Sequence, residues 1–351
     1  MIDFQEITQL LQQLISTPSF SKEEDKTATL LQDFFQKQNI PTERKGNNII
    51  AKNRYFTERG KTILLNSHHD TVKPVNGWTR DPFSPDIVDG KLYGLGSNDA
   101  GGALVSLIAT FCHFYNKKTP FNLILAATAE EEISGANGIA SILPELGHID
   151  VGIVGEPTLM QMAVAEKGLM VIDGFAYGKA GHAARNEGIN ALYIALDDIA
   201  IIRDFTFEKE SDLLGAVKST VTQIEAGTQH NVVPDICKFV IDVRSNEYYS
   251  NNKIYEILQK QVKSELKPRS FRLNSSKISL KHPLILRGDK LGLTYYGSPT
   301  LSDQALMSFE TLKIGPGDSA RSHTANEFIY VKEIQEGIKT YINLLDNLKL
   351  K

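Results

Sequence analysis

Histidine and acidic residues, which bind metal ions and move protons, recur in five short segments of the chain. The first segment, Asn66-Ser67-His68-His69-Asp70-Thr71-Val72, follows the apolar run 62–65, which we predict to be a buried strand. A histidine that binds a metal needs its other ring nitrogen held in place, and a carboxylate two residues later can hold it. The segment therefore predicts either a hydrolytic metal site or a polar turn at the end of a strand.

Two further segments place acidic residues before a predicted helix and after a predicted strand. Asp99 lies in Leu95-Gly96-Ser97-Asn98-Asp99-Ala100-Gly101-Gly102, where a simple helix cap is the alternative interpretation. Glu130-Glu131-Glu132 follows the strand predicted at 123–127. Three adjacent acids repel one another unless a cation is near, and an acidic surface turn is the alternative. For this triplet, metal binding combined with general-base catalysis explains the placement better.

The last two segments complete a set of ligands for metal ions. Glu156 follows the strand predicted at 151–154, and His323 lies shortly before the C-terminal helix. Two histidines and three carboxylates suit a pair of Zn²⁺ ions with an open position for water, and they also accept Co²⁺ or Mn²⁺. Two such ions polarise a carbonyl group, while a free glutamate beside them exchanges protons with water and a leaving nitrogen. The residues therefore predict metal-dependent hydrolysis.

The bulk composition is that of a soluble globular protein. The chain has 351 residues, enough for two domains, of which 41% are hydrophobic and 23% charged. Its net charge of −4 gives no broad basic surface for nucleic acid. We find neither a signal peptide nor an apolar run of about 20 residues that could span a membrane. Cys112 and Cys237 are far apart, so we expect reduced thiols and a cytoplasmic protein.

Short apolar runs without alternation predict strands that are buried on both faces. These runs lie at 48–51, 62–65, 123–127 and 151–154, and helical repeats cover 3–39 and 101–115. This order predicts an α/β fold in which a parallel or mixed sheet is flanked by helices. Ligands of such folds gather at the carboxyl ends of the strands, which is where the polar segments fall.

From about residue 162 the pattern changes to that of a separate small module. We predict strands at 169–176, 216–225, 238–242 and 271–278, and helices at 190–203 and 253–265. Their order, β-α-β-β-α-β, is typical of a ferredoxin-like α+β module. Because the chain then resumes the first pattern, we predict an insertion. Residues 1–163 and 280–351 form one domain, and residues 164–279 form the other.

Taken in order, the five segments resemble the M20 family of di-zinc aminoacylases and peptidases, and the resemblance covers nearly the whole chain. The matching segments are 67–72, 94–99, 131–135, 155–158 and 323–327. The resemblance implies a zinc-peptidase-like mixed sheet flanked by helices, which would carry a catalytic di-zinc domain. It also implies that the inserted ferredoxin-like domain is a lid and dimerisation domain, which agrees with the predicted insertion.

The resemblance also implies a role for each residue of the centre. The implied metal ligands are His68, Asp99, Glu132, Glu156 and His323, with Asp99 shared by both ions. Asp70 would orient the first histidine, and the bond from Asp99 to Ala100 would be cis. Glu131 would be the general base, and only alignment with the family's acid pair selects it over its two neighbours. The implied cofactors are two Zn²⁺ ions.

Further matches concern binding of the substrate. His182, in the segment 179–191, matches a family histidine that reaches from the partner subunit to the oxyanion. The resemblance therefore implies a homodimer, or an equivalent contact within one chain when the lid closes. Asn231 and Arg244 match substrate contacts, and Arg244 could hold a carboxylate with two hydrogen bonds, although an exposed strand arginine is the alternative. Gly317 matches a loop of the pocket. Asn186 stands where many relatives have proline.

The implied reaction is hydrolysis of the amide bond of a small N2-acyl amino acid. Within the family the chain looks most like acetylornithine deacetylases, which implies N-acetylornithine or an acyl-citrulline as substrate, in arginine biosynthesis. Acetate and the free amino acid would be the products. Deacetylation of acetyl-lysine, desuccinylation of succinyl-diaminopimelate and dipeptide hydrolysis are alternatives. A relative without catalysis that binds a small molecule is a further alternative, but the implied ligands and base are all present.

Overall fold

The computed structural model describes residues 3–185 and 187–350, so Asn186 lies outside the described residues. Of these, the residues up to Val164, Lys277–Tyr296 and those from Ser302 onward form one compact unit. Ala165–Ser276 and Gly297–Leu301 form the second unit. Within the described ranges, no helix combines the length and apolarity that crossing a bilayer requires.

The helices and strands follow the chain in this order. The α-helices are α1 (Phe4–Ile15), α2 (Asp25–Lys37), α3 (Gly102–Tyr115), α4 (Ile139–Ile142), α5 (Ala191–Asp204), α6 (Asn251–Gln259), α7 (Pro283–Lys290) and α8 (Val331–Leu345). The strands are β1 (Glu43–Lys45), β2 (Asn48–Lys52), β3 (Thr62–His68), β4 (Ile87–Val88), β5 (Lys91–Tyr93), β6 (Asn122–Thr128), β7 (Val151–Val154), β8 (Met162–Glu166), β9 (Gly168–Tyr177), β10 (Gly181–His182), β11 (Lys218–Ala226), β12 (Val232–Val233), β13 (Ile236–Ser245), β14 (Glu265–Pro268), β15 (Ser276–Lys277), β16 (Tyr295–Ser298), β17 (Thr311–Lys313) and β18 (Phe328–Tyr330).

The main sheet has the strand order β1-β2-β6-β3-β7-β17-β8-β15. Its centre is parallel, because β3 runs parallel to β6 and β7, and β17 runs parallel to β7. β2 joins β6 in the antiparallel sense, so the sheet is mixed. The mixed α/β fold predicted from the sequence is confirmed.

The central strands are apolar on both sides because helices cover them. Every residue of β3 and of β6 is buried, and α3 packs against both strands and against α1 and α8. Buried apolar side chains run along most of α3, as expected for a helix enclosed by other elements. Because β3, β6 and β7 are parallel, their carboxyl ends meet at one edge, and the polar segments follow these ends.

The second unit has its own sheet and core. Its sheet order is β11-β13-β9-β14, and the elements follow the chain as β9, α5, β11, β13, α6 and β14. This is the order of a ferredoxin-like module. Buried side chains from β9, β13 and the two helices form its core, among them Ile172, Phe239, Ala195 and Ile254.

The end of this module differs from the prediction. The helix predicted at 253–265 stops at Gln259, and the edge strand is Glu265–Pro268 rather than 271–278. The reason is Asp198 on α5, whose buried carboxylate accepts the main-chain N–H groups of Lys263 at 3.1 Å and Ser264 at 2.7 Å. These N–H groups are therefore not available for the hydrogen bonds of a longer helix. The chain enters β14 earlier than its apolar pattern indicates.

Candidate metal centre

His68 presents one ring nitrogen to a cluster of carboxylates. It is the last residue of β3 and only 1% of its surface is exposed. Its Nδ1 donates to the main-chain oxygen of Asp70 at 3.0 Å, because a carbonyl oxygen can only accept. Its Nε2 lies 3.4 Å from Asp99 Oδ1 and 3.8 Å from both Glu131 Oε2 and Glu156 Oε1. Because Nδ1 carries a proton, Nε2 is the ring nitrogen that faces the carboxylates, and once deprotonated it can bind a metal ion.

Asp70 connects the histidine to the acidic turn. Its Oδ1 lies 3.4 Å from His68 Nδ1 and accepts the N–H of Glu131 at 3.0 Å. Its Oδ2 accepts the N–H of Glu132 at 3.2 Å and the hydroxyl of Ser21 at 2.7 Å. Burial would raise the pKa of Asp70, but the bond to the histidine and these donors hold it below its usual value. The carboxylate therefore stays ionised and fixes both segments.

The acidic turn separates its three glutamates. Glu130 has a left-handed backbone, φ 55°, and its buried carboxylate turns back to Asn137, whose Nδ2 and N–H it accepts at 2.8 and 3.2 Å. Glu131 and Glu132 follow in a short 3₁₀ turn. Glu132 Oε2 lies 3.0 Å from His323 Nε2. Glu130 is thus bound to its own loop, while the next two acids contribute to the centre.

Asp99 lies between the two histidines. It lies in the short turn Ser97–Gly101 directly before α3, where its own backbone is not helical (φ −115°, ψ 100°), and its bond to Ala100 is cis. One carboxylate oxygen, Oδ1, lies 3.4 Å from His68 Nε2, and the other, Oδ2, lies 3.5 Å from His323 Nε2. A carboxylate with one oxygen directed at each histidine has the arrangement of a ligand shared by two ions.

The residues fit a metal centre. Ligand atoms of His68, Glu131 and Glu156 all lie within 4.8 Å of one another, as do those of His68, Asp99 and Glu132. Among the described residues, the buried atoms His68 Nε2 and Glu156 Oε1 have no hydrogen-bond partner. Buried polar atoms almost always have one. A cation bound between this nitrogen and this oxygen would satisfy both atoms.

The pKa values of the ionisable groups in the centre also indicate a site for a cation. Burial raises the pKa of Glu156 to about 8, and the charge of Asp99 adds to the effect. Burial also raises the pKa of Glu131 well above its usual range. The hydrogen bond to Glu132 raises the pKa of His323 to about 9. Burial thus favours the protonated forms of these two carboxyl groups, and a divalent cation bound beside them would favour the ionised forms instead.

Three buried carboxylates of the centre escaped the sequence analysis as separate features. Glu327 is only the last residue of the matching segment 323–327, and Asp303 gave no signal of its own. Asp303 accepts the hydroxyl of Thr128 at 2.9 Å, and burial raises its pKa to about 7. Glu24 is fully buried and accepts the N–H of Glu130 at 3.2 Å, across 106 residues of chain. Spacing along the sequence gives no signal for a contact of this kind.

The comparison with known families identifies the chain. The model of peptidase family M20/M25/M40 matches residues 64–347, which include every residue of the centre described so far except Ser21 and Glu24. The chain belongs to peptidase family M20/M25/M40. As a member of this family it is a metal-dependent hydrolase, and the predicted family is confirmed.

Individual relatives are similar in sequence to most of the chain. An uncharacterized metallohydrolase of Methanocaldococcus jannaschii is 27% identical over 296 residues, which cover 81% of this chain and 82% of the relative. Acetylornithine deacetylase of Shigella sonnei is 28% identical over 358 residues, covering 92% of each chain. Succinyl-diaminopimelate desuccinylase of Wolinella succinogenes is 28% identical over 287 residues, covering 75% of this chain and 76% of the relative.

Solved structures share the fold. The aminopeptidase PepT of Bacillus cereus superposes with a TM-score of 0.78 at 20% identity, covering 99% of both chains. A dinuclear metal-binding peptidase of the M20 family from Bacillus subtilis superposes with a TM-score of 0.74 at 16% identity, covering 98% of this chain and 99% of the other. The fold of these structures therefore extends over nearly the whole of the described chain.

Three residues that the family resemblance selects lie in the second unit. His182 is exposed in β10, which pairs with β12, and Asn231 directly precedes β12. The N–H of Ala183 donates to the main-chain oxygen of Asn231 at 3.1 Å, so these two segments are adjacent within the unit. Arg244 on β13 is half-buried, and its guanidinium group makes two hydrogen bonds to Asp242, at 2.8 and 3.0 Å.

Gly317 packs closely against the loop that carries Asp99. It has a φ of 93°, which favours glycine, and a Cβ atom there would lie 2.6 Å from Asn98 Oδ1. Asn98 in turn donates to the main-chain oxygen of Asp318 at 3.0 Å and accepts the N–H of the same residue at 3.0 Å. The absence of a side chain at 317 therefore allows this loop and the loop before His323 to meet.

Proposed function

We propose that the chain hydrolyses the amide bond of a small N2-acyl amino acid with two bound Zn²⁺ ions, which Co²⁺ or Mn²⁺ can replace. The carrying observation is that the Asp99 carboxylate directs one oxygen at His68 and the other at His323, with Glu131 beside it. The proposed ligands are His68, Asp99, Glu132, Glu156 and His323. Bound ions of this kind polarise a carbonyl group and lower the pKa of water.

Glu131 is the proposed general base. It would take a proton from the attacking water and deliver it to the leaving nitrogen. Burial raises the pKa of its carboxyl group, and the charge of Glu156 adds to this. Asp70 would keep the His68 ring in the tautomer that presents Nε2.

The second unit is proposed to complete the site. We assign catalysis to residues 1–163 and 280–351, and the lid and the homodimer contact to residues 164–279. His182 would donate to the oxyanion from the partner subunit, and such a donor is worth about 3 kcal/mol. Asn231 would contact the substrate, as would the loop of Gly317. Arg244 would bind the carboxylate of the amino acid, but it must then share or leave Asp242, its present partner.

The first candidate substrate is N-acetylornithine, which would give acetate and ornithine in the cytoplasm as a step of arginine biosynthesis. It is supported by the relative named acetylornithine deacetylase, which is 28% identical and matches 92% of both chains. An acyl-citrulline is the closest variant of this proposal. A second candidate is succinyl-diaminopimelate, supported by a desuccinylase that is 28% identical over a shorter part of the chain. Acetyl-lysine and dipeptides complete the set to be tested.

Release of the amine from a panel of substrates tests the proposal. The zinc-loaded protein is given N-acetylornithine, N-acetylcitrulline, N-succinylcitrulline, N-acetyllysine, N-succinyl-diaminopimelate and a dipeptide. We expect kcat/KM to be highest for an ornithine or citrulline derivative. Preference for another compound would keep the reaction and reject the pathway. Turnover of none of them with metal bound would reject these substrates and favour either an untested substrate or a binding role.

Separate substitution of two adjacent glutamates by glutamine tests the assignment of the general base. We expect Glu131→Gln to lower kcat by at least about 100-fold while the protein still folds and binds two ions, because the proton carrier is lost and the proposed ligands stay. Glu130→Gln is the matched control, since the Glu130 carboxylate contacts Asn137 rather than the centre. Equal activity of Glu131→Gln and the unaltered protein would reject Glu131 as base.

Mixed dimers test the role of His182. His182→Ala and Glu131→Ala are each expected to be nearly inactive alone. If His182 acts on the neighbouring subunit, a mixed dimer contains one site with both residues intact, and part of the activity returns on mixing. Mixing that forms mixed dimers without any recovery would show that His182 does not act across subunits.

A further inference from the structure

Glu327 lies behind the loop that carries Asp99. It is the residue before β18, and only 2% of its surface is exposed. Its Oε1 accepts the N–H groups of Asn98 at 2.8 Å and Asp99 at 2.9 Å, and its Oε2 accepts that of Gly96 at 3.1 Å. Its own main-chain oxygen accepts the N–H of Gly94 at 3.0 Å. One residue therefore binds four main-chain donors of a single loop.

These contacts fix the backbone of the loop on both sides of its turn. Gly96 has a φ of 75°, and a Cβ atom there would lie 2.6 Å from Thr71 Cγ2, so this part of the loop is tightly enclosed. The next donors are the amides of Asn98 and Asp99 itself. Because the Asp99 amide is held directly, the Asp99 Cα, and with it the direction of the carboxylate, depends on Glu327.

We propose that Glu327 is a positioning residue that sets the affinity for both metal ions by holding Asp99 between His68 and His323. The inference rests on the proposed function in that it takes Asp99 as the shared ligand. Loss of a ligand that binds one ion lowers the affinity for that ion most. Loss of the contacts that position a shared ligand lowers the affinity for both ions together, and this difference makes the proposal testable.

Metal affinity of Glu327→Gln is the decisive measurement. Glutamine keeps the volume but replaces one acceptor oxygen with an NH₂ group, which cannot accept the N–H of the loop. Residues behind metal ligands typically change metal affinity by about 10–100-fold, and we expect a decrease in this range for both ions. Chelator competition on the metal-free protein gives the two affinities, and the absorption and EPR spectra of the Co²⁺-loaded protein report whether the two ions still share a ligand.

Asp198→Asn is the matched control. Asp198 is also a buried carboxylate, and it accepts two main-chain N–H groups and the hydroxyl of Ser264, but it lies in the second unit. We expect this variant to unfold at a lower temperature and yet to bind Co²⁺ with unchanged affinity and spectra. Glu327→Asp is the second variant, and its shorter carboxylate should give an intermediate loss of affinity.

Several results would overturn the proposal. One is that Glu327→Gln leaves both metal affinities and the Co²⁺ spectra unchanged. Another is that it lowers the affinity for only one of the two ions. Failure of both Glu327 variants to fold would also overturn it, because the residue would then serve the fold as a whole. Failure of the proposed function looks different, since the unaltered protein would bind two ions but hydrolyse none of the amides, and the affinity comparison would still be readable.

Discussion

The two halves of the candidate metal centre differ in how they are built. His68 is the last residue of β3 and Glu156 lies two residues after the end of β7, both of which are parallel strands of the main sheet, and the side chain of His68 is 1% exposed. Glu132 and His323 lie on loops; the side chain of Glu132 is only 7% exposed but that of His323 is 52% exposed, and the two halves are named after their histidines. Asp99 lies between the halves. The buried half is therefore placed by the sheet, whereas the exposed half is placed by hydrogen bonds between loops.

This difference has a consequence for binding. A ligand on a strand end in a packed core is held in position before the metal arrives, so binding orders little of the chain. A ligand on an exposed loop loses freedom and hydrating water when it binds. We therefore expect the ion next to His68 to bind more tightly, and the ion next to His323 to exchange more readily and to lie nearer to the substrate.

Replacement of the two histidines is expected to give the largest contrast. His68→Asn removes the ligand that faces three carboxylates, and we expect metal affinity to fall by more than about 100-fold, beyond the range typical of residues behind the ligands. His323→Asn should weaken one ion by a smaller factor and leave the other bound. Metal content after dialysis, with isothermal titration of the metal-free variants, measures both effects.

His69→Asn is the control for a buried histidine in the same segment. Its ring nitrogens lie 2.9 Å from Thr27 Oγ1 and 2.9 Å from the main-chain oxygen of Asn47, and burial lowers its pKa to about 4. We expect this variant to lose stability and still bind two ions. Equal loss of metal in His68→Asn and His323→Asn would contradict the distinction between the halves.

Removal of metal by a chelator is expected to separate the halves in time. With excess chelator, we expect two kinetic phases of equal amplitude, in which the ion at the exposed half leaves first. His323→Asn should remove the fast phase and keep the slow one. A single phase that accounts for both ions would mean that the two halves open together, and would reject the contrast drawn from their exposure.

The sequence predicts the ligands of the centre better than the residues that hold them. His68 and Asp70 are two residues apart and follow an apolar run, so local spacing and a rule about strand ends suffice to find them. Glu327 and Asp99 are 228 residues apart, and their contact exists only because β18 pairs with β5 beside the loop. Burial of a carboxylate and acceptance of main-chain N–H groups are properties of the folded chain.

The second unit shows the same limit. The strand predicted at 169–176 matches β9 closely, whereas the strand predicted at 238–242 covers only five of the ten residues of β13. The end of α6 was predicted wrongly, because the N–H groups that follow it donate to a carboxylate 65 and 66 residues earlier in the chain. The sequence pattern of apolar and polar residues therefore predicts that a helix or strand exists. Where the element ends depends on hydrogen bonds to distant parts of the chain.

The stability of the metal-free protein is expected to depend on pH. Burial raises the pKa of Glu156 from 4.5 to about 8, and the bond to Glu132 raises that of His323 from 6.5 to about 9. Both groups bind protons more tightly when folded. Their contribution to stability is therefore complete below pH 4.5 and 6.5, respectively, and is lost as pH rises through about 8 and about 9.

Thermal unfolding with and without metal measures this effect. Between pH 6.5 and 9, where both groups lose their protons, we expect Tm of the metal-free protein to fall. Bound ions replace these protons, so the metal-loaded protein should show a smaller decrease, and metal affinity should rise with pH. A Tm of the metal-free protein that stays constant or rises over this interval would contradict the assignment of these pKa shifts.

The smallest effect is expected at the ion pair that anchors the exposed half. Arg321, two residues before His323, makes two hydrogen bonds to Glu333 on α8, at 2.7 and 3.0 Å, and its guanidinium carbon lies 4.8 Å from the centre of the Phe328 ring. Lysine keeps the charge but loses the paired geometry, so Arg321→Lys should lower the free energy of unfolding by about 1 kcal/mol. The fast phase of metal release should quicken.

Arg269→Lys is the matched control for Arg321→Lys. Arg269 makes the same paired contact with Asp173, at 2.9 and 2.8 Å, but on the second unit and with its side chain 56% exposed. Exposed pairs contribute about 0–1 kcal/mol, so this variant should lose less stability and release metal at the unaltered rate. If both variants release metal alike, the position of His323 does not depend on Arg321, and the exposed half is held by the contacts of Asn98 and Glu132 instead.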